Sequence, residues 1–234
     1  MSVAAISARA MEGADRLIRV CAGLQPHERA LIVCDASTRE VGTRGAERAR
    51  RVSRRVRLEI IPELAMHGEE PPPPVAARMA AAGVCFGLTA KSMAHTNARR
   101  RLCDGGGRYL SLPDYSLELL EDPSLRVDYR GQAPLVRAIA DAFTAGSRAE
   151  VTTKAGTSIR LNIAGRRGNC CPGIADGPGQ LGSPPDIEAN VSPVESDSEG
   201  CIIADGSIPY PGLGLLASPM QLTVERGRIV DMQG

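Results

Sequence analysis

The chain has 234 residues, of which 43% are hydrophobic, so it is long and apolar enough to bury a substantial core. Its 28 Lys and Arg residues nearly balance 27 Asp and Glu residues. The resulting net charge of +1 excludes a global field that would attract nucleic acid or an anionic membrane. Neither a secretory signal nor a transmembrane helix is predicted.

Cysteine usage predicts a reducing compartment. The seven cysteines have no regular spacing, which favours free thiols in a cytoplasmic protein over a disulfide framework. Four of them have apolar neighbours and are predicted to be small core residues: Cys21, Cys34, Cys85 and Cys201. The adjacent pair Cys170-Cys171 lies in a Gly/Pro-rich stretch, where a metal or redox role stays open beside that of ordinary loop residues.

Helical and strand-like segments alternate through the first part of the chain. In chain order, the pattern predicts helices over 14–21, 37–53, 75–82, 92–103 and 135–143, and strands over 30–34, 56–61, 84–89 and 108–112. This alternation indicates an α/β fold, with a doubly wound, mostly parallel sheet. We expect this domain to occupy residues 1–146.

The pattern changes to short strands after Gly146. A β-hairpin is predicted over 150–163, a long irregular loop over 164–186, and further strands over 201–204, 220–224 and 228–230. Residues 147–234 are therefore predicted to form a β-rich second domain. No closing element follows the last predicted strand, so we expect this domain to be incomplete in the sequence.

A proline-bounded glutamate is the most informative motif in the second domain. Residues 185–193 read PDIEANVSP, and residues 205–209 read DGSIP. The carboxylate of Glu188 is thus presented from a conformationally restricted segment, and carboxylate oxygens are ordinary ligands of Zn²⁺, Mn²⁺, Co²⁺ and Fe²⁺. Without further information, a loop glutamate is most often simply solvated.

The ordered set of motifs resembles the aminopeptidase T/aminopeptidase S family of metallo-aminopeptidases, which includes 2,5-dihydroxypyridine 5,6-dioxygenase relatives. Besides the glutamate motif, the family's GT…GR stretch is similar to residues 156–166, and its strand-turn-strand is similar to residues 222–230. The resemblance implies that Glu188 binds a metal ion. Ile187 departs from the pattern, because the family usually has glycine there.

The same resemblance implies further metal ligands that this sequence does not supply. In the family, a second Glu, two His and an Asp lie downstream of the position of residue 234. The three histidines of this chain all precede the glutamate motif: His27, His67 and His95. Since a catalytic metal takes at least three protein ligands, we expect a homo-oligomer or a partner chain to complete the site.

His95 is the second candidate for chemistry. It follows the third predicted strand, and ligands of open α/β sheets collect beyond the carboxyl ends of the strands. An imidazole there can donate or accept a proton near neutral pH. The stretch also resembles one in which a histidine of the dioxygenase relatives faces the substrate. His95 is therefore predicted to be catalytic, with Lys91 and Ser92 in substrate binding; the alternative is a solvent-exposed helix N-terminus.

Two further polar positions are less specific. Asp35 follows the first predicted strand, where α/β enzymes often keep a ligand-facing acid. His67 and Glu70 have the spacing of a conceivable metal pair, but we interpret them as polar loop residues ahead of the proline run 71–74.

Three functions follow from these observations. The leading hypothesis is a metal-dependent aminopeptidase-type hydrolase that removes N-terminal residues from peptides and uses Zn, Co or Mn. An alternative on the same fold is an Fe(II) ring-cleaving dioxygenase with a small-molecule substrate of the dihydroxypyridine type. A third is a non-catalytic remnant that acts as a binding or assembly module. None of the three involves nucleic acid or a membrane.

Overall fold

The computed structural model describes residues 7–208 and 212–234. The helices are α1 Ala8–Arg16, α2 Arg39–Arg50, α3 Pro73–Ala80, α4 Asn97–Asp104, α5 Leu117–Glu121 and α6 Tyr129–Ala145, with a π-helical turn Leu17–Cys21 and a 3-10 turn Pro123–Arg126. The longer strands are β1 Ala30–Cys34, β2 Val56–Ile60, β3 Val84–Leu88, β4 Arg108–Ser111, β5 Arg148–Thr152, β6 Ser158–Asn162, β10 Ser198–Ala204, β13 Met220–Glu225 and β14 Arg228–Gln233. The short strands are β7 Asn169–Cys171, β8 Leu181–Gly182, β9 Glu188–Asn190, β11 Ser207–Ile208 and β12 Gly214–Leu215.

The chain divides into two compact units. Unit 1 comprises residues 1–134 and 171–188, and unit 2 comprises residues 135–170 and 189–234. This division differs from a single boundary at residue 146, because the chain returns to unit 1 after it has entered unit 2. The physical reason is β8, which pairs with β4 and so belongs to the sheet of unit 1.

Unit 1 is built on a parallel sheet of five strands in the order β2-β1-β3-β4-β8. Its central strands β1 and β3 are buried along their whole length, as expected for apolar strands covered on both faces. Ile32, Phe86 and Leu110 pack on one face, while Leu31 and Tyr109 pack on the other. The predicted α/β fold class with a mostly parallel sheet is confirmed.

The strand order places β1 between β2 and β3, so the crossover from β1 to β2 and the crossover from β2 to β3 run in opposite directions along the sheet. Such a reversal is a topological switch point, and the crevice outside the carboxyl ends of β1 and β3 is the usual ligand position of this architecture. Cys34 and Leu88 are paired at these ends. The residues that follow them are therefore the first place to look for a site.

Helices α1, α4 and α5 differ from the sequence-based expectation. The segment predicted as a helix over 14–21 is the end of α1, which begins at Ala8, followed by the π-helical turn Leu17–Cys21. Helix α4 begins at Asn97 rather than at residue 92, because Thr96 has an extended backbone and its side chain accepts a hydrogen bond from the Arg99 N–H as an N-cap. Helix α5 was not predicted. It is only five residues long and is capped by Ser116, so it offers no helical period to recognise.

Unit 2 contains an antiparallel sheet in the order β14-β13-β10-β6-β5. The predicted hairpin β5–β6 is confirmed, as is the turn at Arg226-Gly227 between β13 and β14. Glycine is required in that turn, since a Cβ at Gly227 would lie 1.9 Å from the carbonyl oxygen of Glu195. Edge strand β14 is exposed along its length.

The cysteine prediction holds for three of its four core positions. Cys21, Cys34 and Cys85 are fully buried, whereas Cys201 is only partly buried in β10. The reason is that β10 belongs to an antiparallel sheet whose strand is half-covered, while the others belong to the two-sided core of unit 1. Within 7–208 and 212–234, we find no helix with the length and apolar character needed to cross a bilayer.

Candidate functional site

Polar residues collect at the carboxyl edge of the parallel sheet in unit 1. They come from four connections: Asp35 after β1, the loop 89–96 after β3, Ser111 at the end of β4, and Ser183 after β8. Because the strands are parallel, their carboxyl ends meet along one edge. This edge is the candidate functional site.

Asp35 directly follows β1 and lies at the topological switch point of the sheet. Its side chain is fully buried, Oδ1 accepts hydrogen bonds from Ser37 and Thr38, and Oδ2 accepts one from the Ala90 N–H at 2.6 Å. Burial raises the pKa of Asp35, but the hydrogen bonds from Ser37, Ala90 and Thr38 outweigh burial, so the pKa lies below its ordinary value. The expectation of a ligand-facing acid is therefore wrong: the carboxylate ties β1 to the loop after β3.

The loop 89–96 is shaped by its own side chains. The hydroxyl of Thr89 donates to the Lys91 carbonyl oxygen at 2.6 Å, and Ser92 Oγ accepts from the Ala94 N–H at 3.2 Å. Thr96 Oγ1 donates to the Met93 carbonyl oxygen at 2.8 Å. Short hydrogen bonds of this kind give the loop a defined conformation without a helix.

The three predicted site residues of this loop differ in exposure. Lys91 and Ser92 are half-buried, whereas His95 is exposed. Its neighbours Ala94 and Thr96 are both buried. In the described part of the chain, the imidazole of His95 makes no hydrogen bond or ion pair, so both ring nitrogens can meet a ligand. His95 precedes helix α4 and does not lie inside it, contrary to the predicted helix 92–103.

A row of serines joins the ends of three strands. Ser92 Oγ lies 3.2 Å from Ser111 Oγ, and Ser183 Oγ donates to the Ser111 carbonyl oxygen at 3.3 Å. The row brings Ser92 next to residues far away in sequence. Ser111 and Ser183 were not singled out from the sequence, because their role depends on the β4–β8 pairing and β8 was not predicted.

His67 and Glu70 also reach this edge, from the connection after β2. His67 Nδ1 accepts a hydrogen bond from the Ser92 N–H at 3.1 Å. Glu70 accepts hydrogen bonds from the N–H groups of Asn97 and Ala98 at the start of α4. The two side chains thus bind backbone groups, as fits the interpretation of this stretch as a polar loop.

The segment that carries Glu188 leaves from the carboxyl end of β8. It passes through Ser183 and a cis peptide bond between Pro184 and Pro185, and the Tyr115 hydroxyl donates to the Pro184 carbonyl oxygen at 2.6 Å. Ile187 packs against the core, and Glu188, the first residue of β9, is exposed. Glu188 therefore lies in a short strand rather than in the expected loop, and the alternation of the strand turns its side chain outward.

Cys171 lies close to this glutamate. Burial raises the pKa of the Cys171 thiol, backbone hydrogen bonds from Gly173 and Ser183 lower it, and the carboxylates of Glu188 and Asp186 raise it, with a net shift upward. The thiol is therefore protonated at neutral pH. Because the thiolate is the reactive and metal-binding form, this disfavours a redox role for Cys171.

The described residues do not form a complete metal site. Within 7–208 and 212–234, no group of three or more His, Cys, Asp or Glu side chains is placed to hold a metal ion. Catalytic sites of the kind expected here take at least three protein ligands. The residues present therefore do not fit the implied divalent metal as a full ligand set.

Comparison with known proteins distinguishes between the dioxygenase and the aminopeptidase that the sequence resembles. A family model described as NicX, 2,5-dihydroxypyridine 5,6-dioxygenase, matches residues 16–234. A search of curated protein sequences found no match.

Two solved structures share the fold. The 2,5-dihydroxypyridine dioxygenase from Pseudomonas putida KT2440 has a TM-score of 0.82 and 16% identity, over 96% of this chain and 67% of that one. Wild-type AmpT from Thermus thermophilus has a TM-score of 0.60 and 14% identity, over 98% of this chain and 72% of that one. At such identities these likenesses show the fold alone.

The leading aminopeptidase hypothesis is therefore supported only through the shared fold, while the dioxygenase alternative is supported by both the family model and the fold. Because the family model spans nearly the whole chain, the protein belongs to the NicX family of 2,5-dihydroxypyridine 5,6-dioxygenases.

Proposed function

We propose that the chain is a metal-dependent, ring-cleaving dioxygenase that acts on 2,5-dihydroxypyridine or a closely related hydroxylated pyridine. The observation that carries the proposal is the match of the dioxygenase family model to residues 16–234. The higher TM-score with the dioxygenase, 0.82 against 0.60 for AmpT, supports it.

In this proposal the loop 89–96 receives the substrate. A dihydroxypyridine presents two hydroxyl groups and a ring nitrogen, which require both hydrogen-bond donors and a proton acceptor. His95 would take the proton of a ring hydroxyl, because its imidazole is exposed and unpaired among the described residues. The Lys91 ammonium and the Ser92 hydroxyl, both half-buried beside it, would bind and orient the ring oxygens.

Glu188 is proposed as one metal ligand, with Fe(II) as the metal of the dioxygenase reading. The described residues of one chain hold no complete ligand set. In this proposal a second copy of the chain or a partner chain supplies the remaining ligands. The exposed apolar side chains of edge strand β14, Ile229, Val230 and Met232, support an oligomer or partner complex, since such edges are usually covered.

An oxygen-uptake assay with 2,5-dihydroxypyridine as the substrate tests this proposal. Purified protein supplied with Fe(II) should consume O₂ together with 2,5-dihydroxypyridine, and His95→Asn should reduce the rate by about 100-fold or more, the usual range for loss of a general acid/base. His27→Asn is the matched control, because His27 is exposed in the connection that precedes β1. Oxygen uptake unchanged in His95→Asn would contradict the role of His95.

An aminopeptidase is the second candidate function, because the chain shares its fold with AmpT. The same preparations should be given an aminoacyl p-nitroanilide with Zn²⁺, Co²⁺ or Mn²⁺. Hydrolysis without oxygen uptake would favour the aminopeptidase. Neither activity under any of these metals would favour the non-catalytic binding module.

A further inference from the structure

The connection between β2 and α3 contacts the site loop 89–96 at one point and the first turn of α4 at another, although its sequence predicts only a polar loop. We propose that His67 and Glu70 are positioning residues that clamp the loop carrying His95. The inference rests on the proposed role of His95, but the clamp itself is a structural claim that can be tested without activity.

The first clamp point is the peptide group of Ser92. His67 Nδ1 accepts the Ser92 N–H at 3.1 Å, and the Gly68 N–H donates to the Ser92 carbonyl oxygen at 2.8 Å. Both backbone groups of one residue are therefore bound by two adjacent residues of the other segment. Such a pair of hydrogen bonds fixes the position and the rotation of the Ser92 backbone.

The second clamp point is the first turn of α4. One oxygen of Glu70 accepts the Asn97 N–H and the other accepts the Ala98 N–H. A carboxylate at a helix N-terminus is favoured both by these free N–H groups and by the helix dipole. Thr96 supplies the side-chain cap of the same helix, so Glu70 is not needed merely to begin it.

His95 lies between the two points. The backbone is held at Ser92 on one side and at Asn97 on the other, and the intervening Met93 and Ala94 are buried. The exposed ring of His95 is thus carried by the short span 92–97, whose two ends are held by hydrogen bonds. Holding a catalytic group within a fraction of an ångström of its productive position is a large part of its effect.

The clamp depends on His67 as an acceptor at Nδ1. A neutral imidazole has one acceptor nitrogen and one N–H, so the Ser92 contact places the proton of His67 on Nε2. An asparagine at this position can offer its side-chain oxygen where Nδ1 lies, whereas alanine offers nothing. This difference supplies a conservative variant that separates the acceptor role from general packing.

The experiment uses the full chain with His67→Ala, His67→Asn and Glu70→Ala, and His27→Ala as the control from the opposite edge of the sheet. Amide hydrogen exchange is measured by NMR at Ser92, Asn97 and Ala98. Losing one hydrogen bond should speed exchange about tenfold. We expect this at Ser92 in His67→Ala and at Asn97 and Ala98 in Glu70→Ala, with near-normal exchange in His67→Asn and His27→Ala.

If oxygen uptake on 2,5-dihydroxypyridine is observed, kcat should fall about tenfold in His67→Ala and be largely restored in His67→Asn. Exchange at the wild-type rate in both alanine variants would overturn the clamp, as would His67→Asn behaving like His67→Ala. A wild-type chain without oxygen uptake would refute the proposed function alone, because the exchange measurements would still decide the clamp.

Discussion

Three carboxylates in unit 1 are bound by other groups of the protein itself. Asp35 holds the Ala90 N–H, and Glu70 holds two N–H groups of α4. Glu28 forms a two-point ion pair with Arg108, at 2.7 and 2.8 Å. From the sequence, an acid after a buried strand predicts a ligand contact, but the partners of these carboxylates lie about 30 to 80 residues away and cannot be read from a local pattern.

Asp35→Asn should destabilise the fold by about 3 kcal/mol at pH 7, because the amide NH₂ group would lie against N–H or O–H donors and would lack a hydrogen-bond acceptor. The folded-state pKa of Asp35 is lowered, so its contribution is present above the unfolded value of about 4 and is lost as the pH falls through the folded value. Urea unfolding at pH 7 and pH 3 measures this.

The difference between wild type and Asp35→Asn should therefore shrink at pH 3. Asp104→Asn, at an exposed position in α4, is the control and should change stability little at either pH. An equal difference at both pH values would show that the ionised carboxylate is not the stabilising form.

Glu188→Gln should lower the Fe(II) retained after dialysis at least tenfold and leave the far-UV circular dichroism unchanged. The residue is exposed, so its removal leaves no cavity, while an amide is a far weaker metal ligand than a carboxylate. Glu63→Gln, at another exposed position, should retain the metal. Metal content that is the same in all three proteins would remove Glu188 from the site.

Among the helices and strands, the local hydrophobic pattern predicts the position of an element correctly where that element is long or fully apolar. Strands β1, β3 and β4 fall within a residue of their predicted positions. Strands β1 and β3 are continuous apolar runs, and β4 is short but fully buried. Strand β8 was missed because it has only two residues and forms through pairing with β4. The predicted start of α4 is too early because the residues before Thr96 are helix-compatible but are held as turns by a local hydrogen bond of Thr96 and a tertiary one from Ser92 to His67.

Gly87→Ala should destabilise strand β3 by about 3 kcal/mol or more. The new Cβ would lie 1.9 Å from the hydroxyl oxygen of Tyr109, and that ring is fully buried on the adjacent strand and cannot move aside. Gly83→Ala is the matched control, because its nearest neighbour would be the Arg29 carbonyl oxygen at 3.5 Å. Thermal unfolding of both variants decides the matter, and equal melting temperatures would contradict this packing.

For the whole molecule, the sequence pattern predicts the fold class correctly. It favours an aminopeptidase over a dioxygenase, however, whereas the family model favours the dioxygenase. The proline-bounded glutamate and the histidine loop are features that the resemblance shares between peptidase and dioxygenase branches, so they carry no information on which substrate is bound. The family model, which weighs residues 16–234 together, favours the dioxygenase. The unit boundaries also needed the structure, because the return of 171–188 to unit 1 depends on one short strand pairing.

Mass spectrometry of the product formed from 2,5-dihydroxypyridine under ¹⁸O₂, with Fe(II) and the full chain, decides whether the protein is a ring-cleaving dioxygenase. A dioxygenase transfers both atoms of one O₂ molecule to its product, so we expect a product that carries two ¹⁸O atoms when the reaction is quenched early. A product without ¹⁸O from the gas, or an unchanged substrate beside hydrolysed peptide in the parallel assay, would contradict it.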